Sequence, residues 1–273
     1  MWRCSGTRHP DRAVRRDGSR QRGGLRPAVA VTVACGGLLT AVTACGALTG
    51  TTGPGKVRGT DGAAVSAPAR PAPAPRPAAA SRVPGIGDRM WDQVPAATSQ
   101  VVAVYGDDAD SPDSLVVLYE RRGGSWERTA DWPAHNGRLG WTTDHRMDDL
   151  RTPVGVFTLS DAGGSRDDPG SLLPYRQDAH AFAPPADADA SHRHDFDYVV
   201  AVDYNRVEGT PPYDWTRPLG EDKGGGIWLH LDHGDGTSGC VTVPEAAMRT
   251  LLRTLDPLSR PVVVMGDREH LWR

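Results

Sequence analysis

Two runs of alternating and apolar residues, Val101-Val102-Ala103-Val104-Tyr105 and Leu115-Val116-Val117-Leu118-Tyr119, flank an Asp/Gly/Pro-rich turn and predict a β-hairpin. Ser125 to Trp132, after Arg-Arg-Gly-Gly, predicts a third strand. Val154 to Ser160, Phe196 to Tyr204, Gly226 to Leu231 and Val262 to Met265 continue the strand pattern. One helix is predicted, from Pro244 to Leu255, with Met248, Leu251, Leu252 and Leu255 as its buried stripe. Thr242 and Glu245 have the spacing of a capping box for it. Residues 161–195 are rich in Asp, Pro and Ala and read as a long irregular insertion, with His192-Arg193-His194-Asp195 as a solvated loop. Many strands with one helix imply a mainly β domain, a sandwich or barrel, over residues 96–273.

The first 95 residues break this pattern. Arg-rich residues 1–26 precede an apolar run from Ala28 to Ala44, the layout of an export signal. That run ends in Val42-Thr43-Ala44-Cys45-Gly46, which resembles a bacterial lipobox with Cys45 as the lipidated residue. Residues 46–95 read as a Gly/Thr-rich, then Pro/Ala-rich disordered linker, a stalk that buries nothing. The expected product is an extracytoplasmic lipoprotein of the cell envelope, monomeric and held at a membrane by its N-terminal lipid.

Composition adds one exclusion. Residues 1–44 hold eight Arg and two Asp; the rest holds 23 Lys/Arg and 32 Asp/Glu, a net −9. An acidic domain does not suit nucleic-acid binding, which needs clustered Lys and Arg against phosphate. Nothing in the chain signals an organic cofactor, and no metal is expected. Asp232, His233 and Asp235 near His230 offer short ligand spacing, but a strand and loop place ligands less well than a helix does.

Three of the four cysteines lie within the first 45 residues; the fourth is Cys240, ten residues after His230. A thiolate is a strong nucleophile once an imidazole takes its proton. The strand Ile227-Trp228-Leu229-His230 delivers a histidine, and a short polar loop returns to Thr237-Ser238-Gly239-Cys240. Cys240 is the candidate nucleophile. His230 is the candidate base, because a strand holds geometry better than a loop, and His233 on the loop competes for the role. Gly239 permits a tight turn, and the N–H groups of Cys240 and Gly239 are the candidate oxyanion donors. The positive end of the following helix is expected to lower the thiol pKa.

These residues resemble the L,D-transpeptidase (YkuD-type) catalytic domain. Thr237-Ser238-Gly239-Cys240 is similar to that family's Ser/Thr-His-Gly-Cys signature, with Ser238 in place of the histidine and Thr242 where an arginine is common. Arg151-Thr152-Pro153-Val154-Gly155-Val156-Phe157, Asn136-Gly137-Arg138-Leu139-Gly140-Trp141 and Val202-Asp203-Tyr204-Asn205 resemble further elements of the family in the same order. The resemblance implies a cysteine peptidyltransferase acting on peptidoglycan stem peptides. Cys240 would attack the third residue of a tetrapeptide stem, D-Ala would leave, and a second stem's amine would take the acyl group in a 3→3 cross-link. It also implies that the Leu231 carbonyl orients His230. Thr237, Arg138 and Trp228 are the candidate substrate-binding residues; Trp228 is weighed against a place in the core. An L,D-carboxypeptidase and a non-catalytic wall-binding module are the alternatives on this scaffold.

Overall fold

The structure is a computed structural model that describes residues 81–273. The export signal, Cys45 and the first part of the linker lie outside the described residues. The predicted hairpin forms from β1 (Gln100–Gly106) and β2 (Asp113–Arg122), and β3 (Ser125–His135) follows β2 antiparallel. The short strands β4 (Trp141–Thr142) and β5 (Thr152–Pro153) pair separately. Then come β6 (Gly155–Thr158), β7 (Ala162–Gly164), β8 (Tyr175–Gln177), β9 (Val199–Ala201), β10 (Trp228–Leu231), β11 (Val241–Val243) and β12 (Val262–Asp267). Ten strands make one sheet in the order β6-β12-β1-β2-β3-β11-β10-β9-β7-β8. The protein is mainly β, as its alternation predicts.

Alternate residues of the central strands serve two cores. Val102 and Val104 of β1, Val263 and Met265 of β12, and Leu229 and Leu231 of β10 share one cluster, so the sheet curls until distant strands face each other. The helix α2 (Glu245–Thr254) closes this cluster with Met248, Leu251, Leu252 and the following Leu255, all fully buried. Its start differs from expectation. The N-cap is Pro244, no side chain caps it, and the Thr242 hydroxyl is engaged with Asp232 at 2.6 Å instead. A strand hydroxyl that points across the sheet cannot also reach the helix it precedes.

The opposite face of β1 and β12 packs Val101, Ala103, Val262 and Val264 against Val83, Ile86 and Met90. Described residues ahead of 96 therefore pack on the sheet. Residues 81–95, read from the sequence as linker, include helix α1 (Asp88–Trp91), and Gly87 N donates to Leu271 O at 2.8 Å in helix α3 (Arg268–Trp272). Their apolar residues follow no period because the surface they cover is built from remote strands. The 161–195 insertion also differs from a loop. It supplies β7, β8 and a 3-10 turn, Ala190–His194. Among the described residues no helix is long and apolar enough to cross a membrane.

Candidate active site

Strand β10 runs parallel to β11, with Leu229 opposite Val241 and His230 opposite Thr242. Strand alternation divides these residues between two faces. Leu229, Leu231, Val241 and Val243 enter the helix-covered core. Trp228 and Cys240 pack on the other face with Phe182 and Phe196. His230 lies two residues along β10 from Trp228 and shares that face, its ring edge-on to Phe196 at 5.0 Å. The candidate base on β10 and the candidate nucleophile just ahead of β11 thus share one face of the sheet.

The His230 side chain is buried, and its Nδ1 lies 3.0 Å from the Leu231 carbonyl. A carbonyl only accepts, so Nδ1 carries the proton and Nε2 keeps its lone pair. Burial pushes the imidazole pKa down to about 4. His230 is therefore neutral near pH 7, the form a base requires.

Cys240 is 0% exposed. Trp228 N donates to its Sγ at 3.3 Å, and the Gly226 carbonyl lies 3.6 Å from the sulfur. Cys240 is disulfide-bonded in this structure, so the chemistry below is that of its reduced thiol. The loop before it is held by Thr237, whose Oγ1 donates to Cys240 O at 2.6 Å and accepts from Gly239 N at 3.0 Å. The Gly239 N–H is thus already engaged and is not a ready oxyanion donor. Gly239 has φ of 146°, and a Cβ there would meet Arg151 O at 3.1 Å, so glycine is required. The helix macrodipole does not reach the sulfur. Helix α2 starts only after β11 and packs on the opposite face, and the dipole's influence fades within one turn.

The sequence elements singled out above converge here. Gly137 bridges Thr237, with Arg138 N donating to Thr237 O and Thr237 N donating to Asn136 O, both at 2.8 Å. Gly137 N donates to Thr152 Oγ1 at 2.7 Å, which brings in the Thr-Pro segment. Tyr204 and Asn205 work one layer out. Tyr204 donates to Lys223 O at 2.8 Å, and Asn205 Nδ2 donates to Gly220 O and Gly224 O at 2.9 and 2.7 Å. They hold the Gly224-Gly225-Gly226 turn whose last carbonyl faces the sulfur. Asp203 and Arg206 beside them form a buried ion cluster with Asp161.

The other candidates divide. Arg138 is exposed, and Ser238 is half-buried beside Cys240. Trp228 is enclosed against Phe182 and Phe196, with ring centroids 5.6 and 5.3 Å away, and presents no ring face to a substrate. Its backbone N–H is what it brings to the sulfur. His233 stacks on His230 at 6.2 Å and lies 3.2 Å from Asp195. Asp232 turns instead to Thr242 and His135. Asp235 accepts from Gly236 N.

One residue escaped the sequence reading. His145 is buried against the loop that leads to Cys240, with its Cε1 3.5 Å from where a Gly239 Cβ would sit. Burial lowers its pKa, and its Nδ1 lies 3.0 Å from Asp149. The only signal was a carboxylate four residues downstream.

A family model for the L,D-transpeptidase catalytic domain (YkuD) matches residues 108–264, more than half of the chain. The chain belongs to this family. The matched region of this L,D-transpeptidase domain spans β2 to β12 except its last residues and contains Cys240, His230 and the segments around Gly137, Thr152 and Tyr204. The family acts on peptidoglycan stem peptides in the cell wall. No curated protein matches the chain. Among solved structures it is similar to a chain described as the structure of Bdellovibrio bacteriovorus Bd1075, with 16% identity and a TM-score of 0.36. That match covers 62% of this chain and 48% of the other, so the chain spans about half the length of that protein.

Proposed function

We propose that the protein is a cysteine L,D-transpeptidase that forms 3→3 cross-links between peptidoglycan stems. The observation that carries this reading is that His230 of β10 and Cys240, the residue just ahead of β11, share one face of the sheet, with the Leu231 carbonyl fixing the imidazole tautomer. His230 Nε2 takes the thiol proton. The thiolate adds to the carbonyl of the third stem residue, a C–S bond forms, and the C–N bond to D-Ala breaks. The imidazolium returns its proton to the departing amine. A side-chain amine of a second stem then attacks the thioester. Its nitrogen loses a proton to His230, and the thiol is regenerated. Arg138, exposed beside Thr237, suits recognition of a stem carboxylate.

The Gly226 carbonyl, 3.6 Å from the sulfur, ends a segment whose backbone would adjust as the acyl group arrives. Gly220, Gly224, Gly225 and Gly226 all have positive φ, and Trp215 and Leu219 nearby are exposed. In this reading Cys45 carries a lipid, the linker spans from the membrane to the wall, and the chain acts outside the cytoplasm as a monomer.

The test is intact mass spectrometry of the reduced protein with a carbapenem, whose strained amide mimics the acyl donor. One adduct per chain is expected, absent in Cys240→Ala. His230→Ala should slow acylation by about 100-fold or more, the usual worth of a positioned base. A folded, reduced sample without an adduct overturns the proposal. A defined tetrapeptide stem, with and without an amine acceptor, separates the reactions; tripeptide alone in both tubes would mark a carboxypeptidase.

A further inference from the structure

The His192-Arg193-His194-Asp195 stretch, expected to be a solvated loop, folds onto the strand that carries His230. Asp189 starts its 3-10 turn by accepting from Ser191 N at 3.0 Å. Asp195, the next residue after the turn, is fastened to β10 by its backbone, where Leu231 N donates to Asp195 O at 3.0 Å. His192, Asp195 and His233 are thereby brought together from segments almost forty residues apart.

Their geometry is that of a ligand set. Asp195 Oδ2 lies 2.9 Å from His192 Nδ1 and 3.2 Å from His233 Nδ1, and one donor atom from each residue falls within 4.8 Å of the others. The side chains of Asp195 and His233 are 8% and 5% exposed. His233 Nδ1 is enclosed, and its polar neighbour in the cluster is Asp195 Oδ2, 3.2 Å away but out of line for a good hydrogen bond. Zinc binds imidazole and carboxylate at about 2.0–2.2 Å in a tetrahedron, which puts neighbouring ligand atoms roughly 3.3 Å apart. The two Nδ1-to-Oδ2 separations are already near that spacing. Two histidines and one carboxylate suit a transition ion; calcium and magnesium prefer all-oxygen shells.

We propose that His192, Asp195 and His233 bind a divalent transition-metal ion, zinc by preference, that clasps the 190–195 turn to the loop following β10. The fourth position is left for water. Phe196, directly after Asp195, packs edge-on against both Trp228 and His230, so the clasp fixes the wall against which the His230 ring rests. A metal on His233 also leaves His230 as the base. The proposal does not rest on the role of Cys240.

The experiment uses the full chain, stripped with a chelator and reduced, with Zn²⁺ titrated against a chromophoric chelator. One equivalent should bind with micromolar or tighter affinity. His192→Ala and His233→Ala should each weaken binding at least tenfold, while Cys240→Ser and His194→Ala leave it unchanged. His194 is a fair control because its Nδ1 pairs with Asp197 at 3.0 Å, outside the cluster. Bound Co²⁺ should show tetrahedral visible bands without a sulfur charge-transfer band. Circular dichroism identifies any variant that fails to fold, and His192 and His233 give two independent chances. Failure of folded wild-type protein to take up zinc overturns the proposal. So does uptake that Cys240→Ser abolishes or that survives both histidine substitutions.

Discussion

Replacing Arg206 by Met tests the buried ion cluster beside the segment that leads to the Gly224-Gly225-Gly226 turn. The Arg206 and Asp203 side chains are each 2% exposed, and Asp161 is 5% exposed. Arg206 reaches Asp161 at 3.2 Å through two nitrogens, also bonds Asp203, and donates to Thr210 O. At 3.2 Å and an effective dielectric constant of about 20, one such contact is worth about 5 kcal/mol of attraction. Removing one partner of a buried pair typically costs about 3–5 kcal/mol, because the remaining charge has no compensation. Arg206→Met strands two carboxylates, so a loss of about 3–5 kcal/mol at pH 7.5 is expected. For a domain of this size that lowers Tm by roughly 6–20 °C.

The pH dependence gives the cause away. Burial already holds the Asp203 carboxyl above the usual range despite Arg206 beside it. Without the guanidinium it rises further, so the folded form binds its proton more tightly than the unfolded chain does. The deficit is then full above the folded pKa and shrinks as pH falls through it towards the ordinary value of about 3.9. Urea unfolding of wild type and variant, compared at pH 7.5 and pH 5, reads both effects. Arg128→Met, in a half-exposed pair with Asp131, serves as control and should cost less than about 1 kcal/mol. A loss below about 1 kcal/mol for Arg206→Met, or one that does not narrow on acidification, refutes the reasoning.

Three further outcomes are expected. Gly137→Ala should cost about 2 kcal/mol or more in chemical unfolding and lower activity with it, because the new Cβ would lie 2.7 Å from backbone atoms of Leu150, Arg151 and Thr152. Asn205→Ala removes the two bonds to the Gly220 and Gly224 carbonyls, and alkylation of the reduced Cys240 thiol by iodoacetamide should quicken severalfold under native conditions. Thr242→Val keeps the shape but takes a hydrogen bond from Asp232, and calorimetry should show a loss of about 1–3 kcal/mol.

The strands and the buried stripe of α2 were legible because their periodicity is local. The same holds for the His230 strand and the Cys240 loop, whose spacing needed only ten residues. What escaped depends on partners remote in sequence. Thr242 and Glu245 had the spacing of a capping box, but the hydroxyl found Asp232 across the neighbouring strand. Val83, Ile86 and Met90 sit among Gly and Arg with no period, and only the outer face of β1 and β12 gives them a surface to cover. His145 carries no motif, yet the turn between β4 and β5 lays it over Gly239. His192 and His233 meet through Asp195, which bonds Leu231 by its backbone and faces both rings with its carboxylate, and no pattern in either segment announces this.

The slot taken by β12 sets the order in which the domain can be completed. It is the last of the described strands, yet it lies inside the sheet, parallel to β1 on one side and antiparallel to β6 on the other. Until it emerges from synthesis, both neighbours present open edges, and an emerging chain can settle only part of its architecture. Loop closure over about 160 residues then makes the final step slow. The docking of β12 between β6 and β1 is therefore the event that seals the middle of the sheet, and strands formed earlier wait on it.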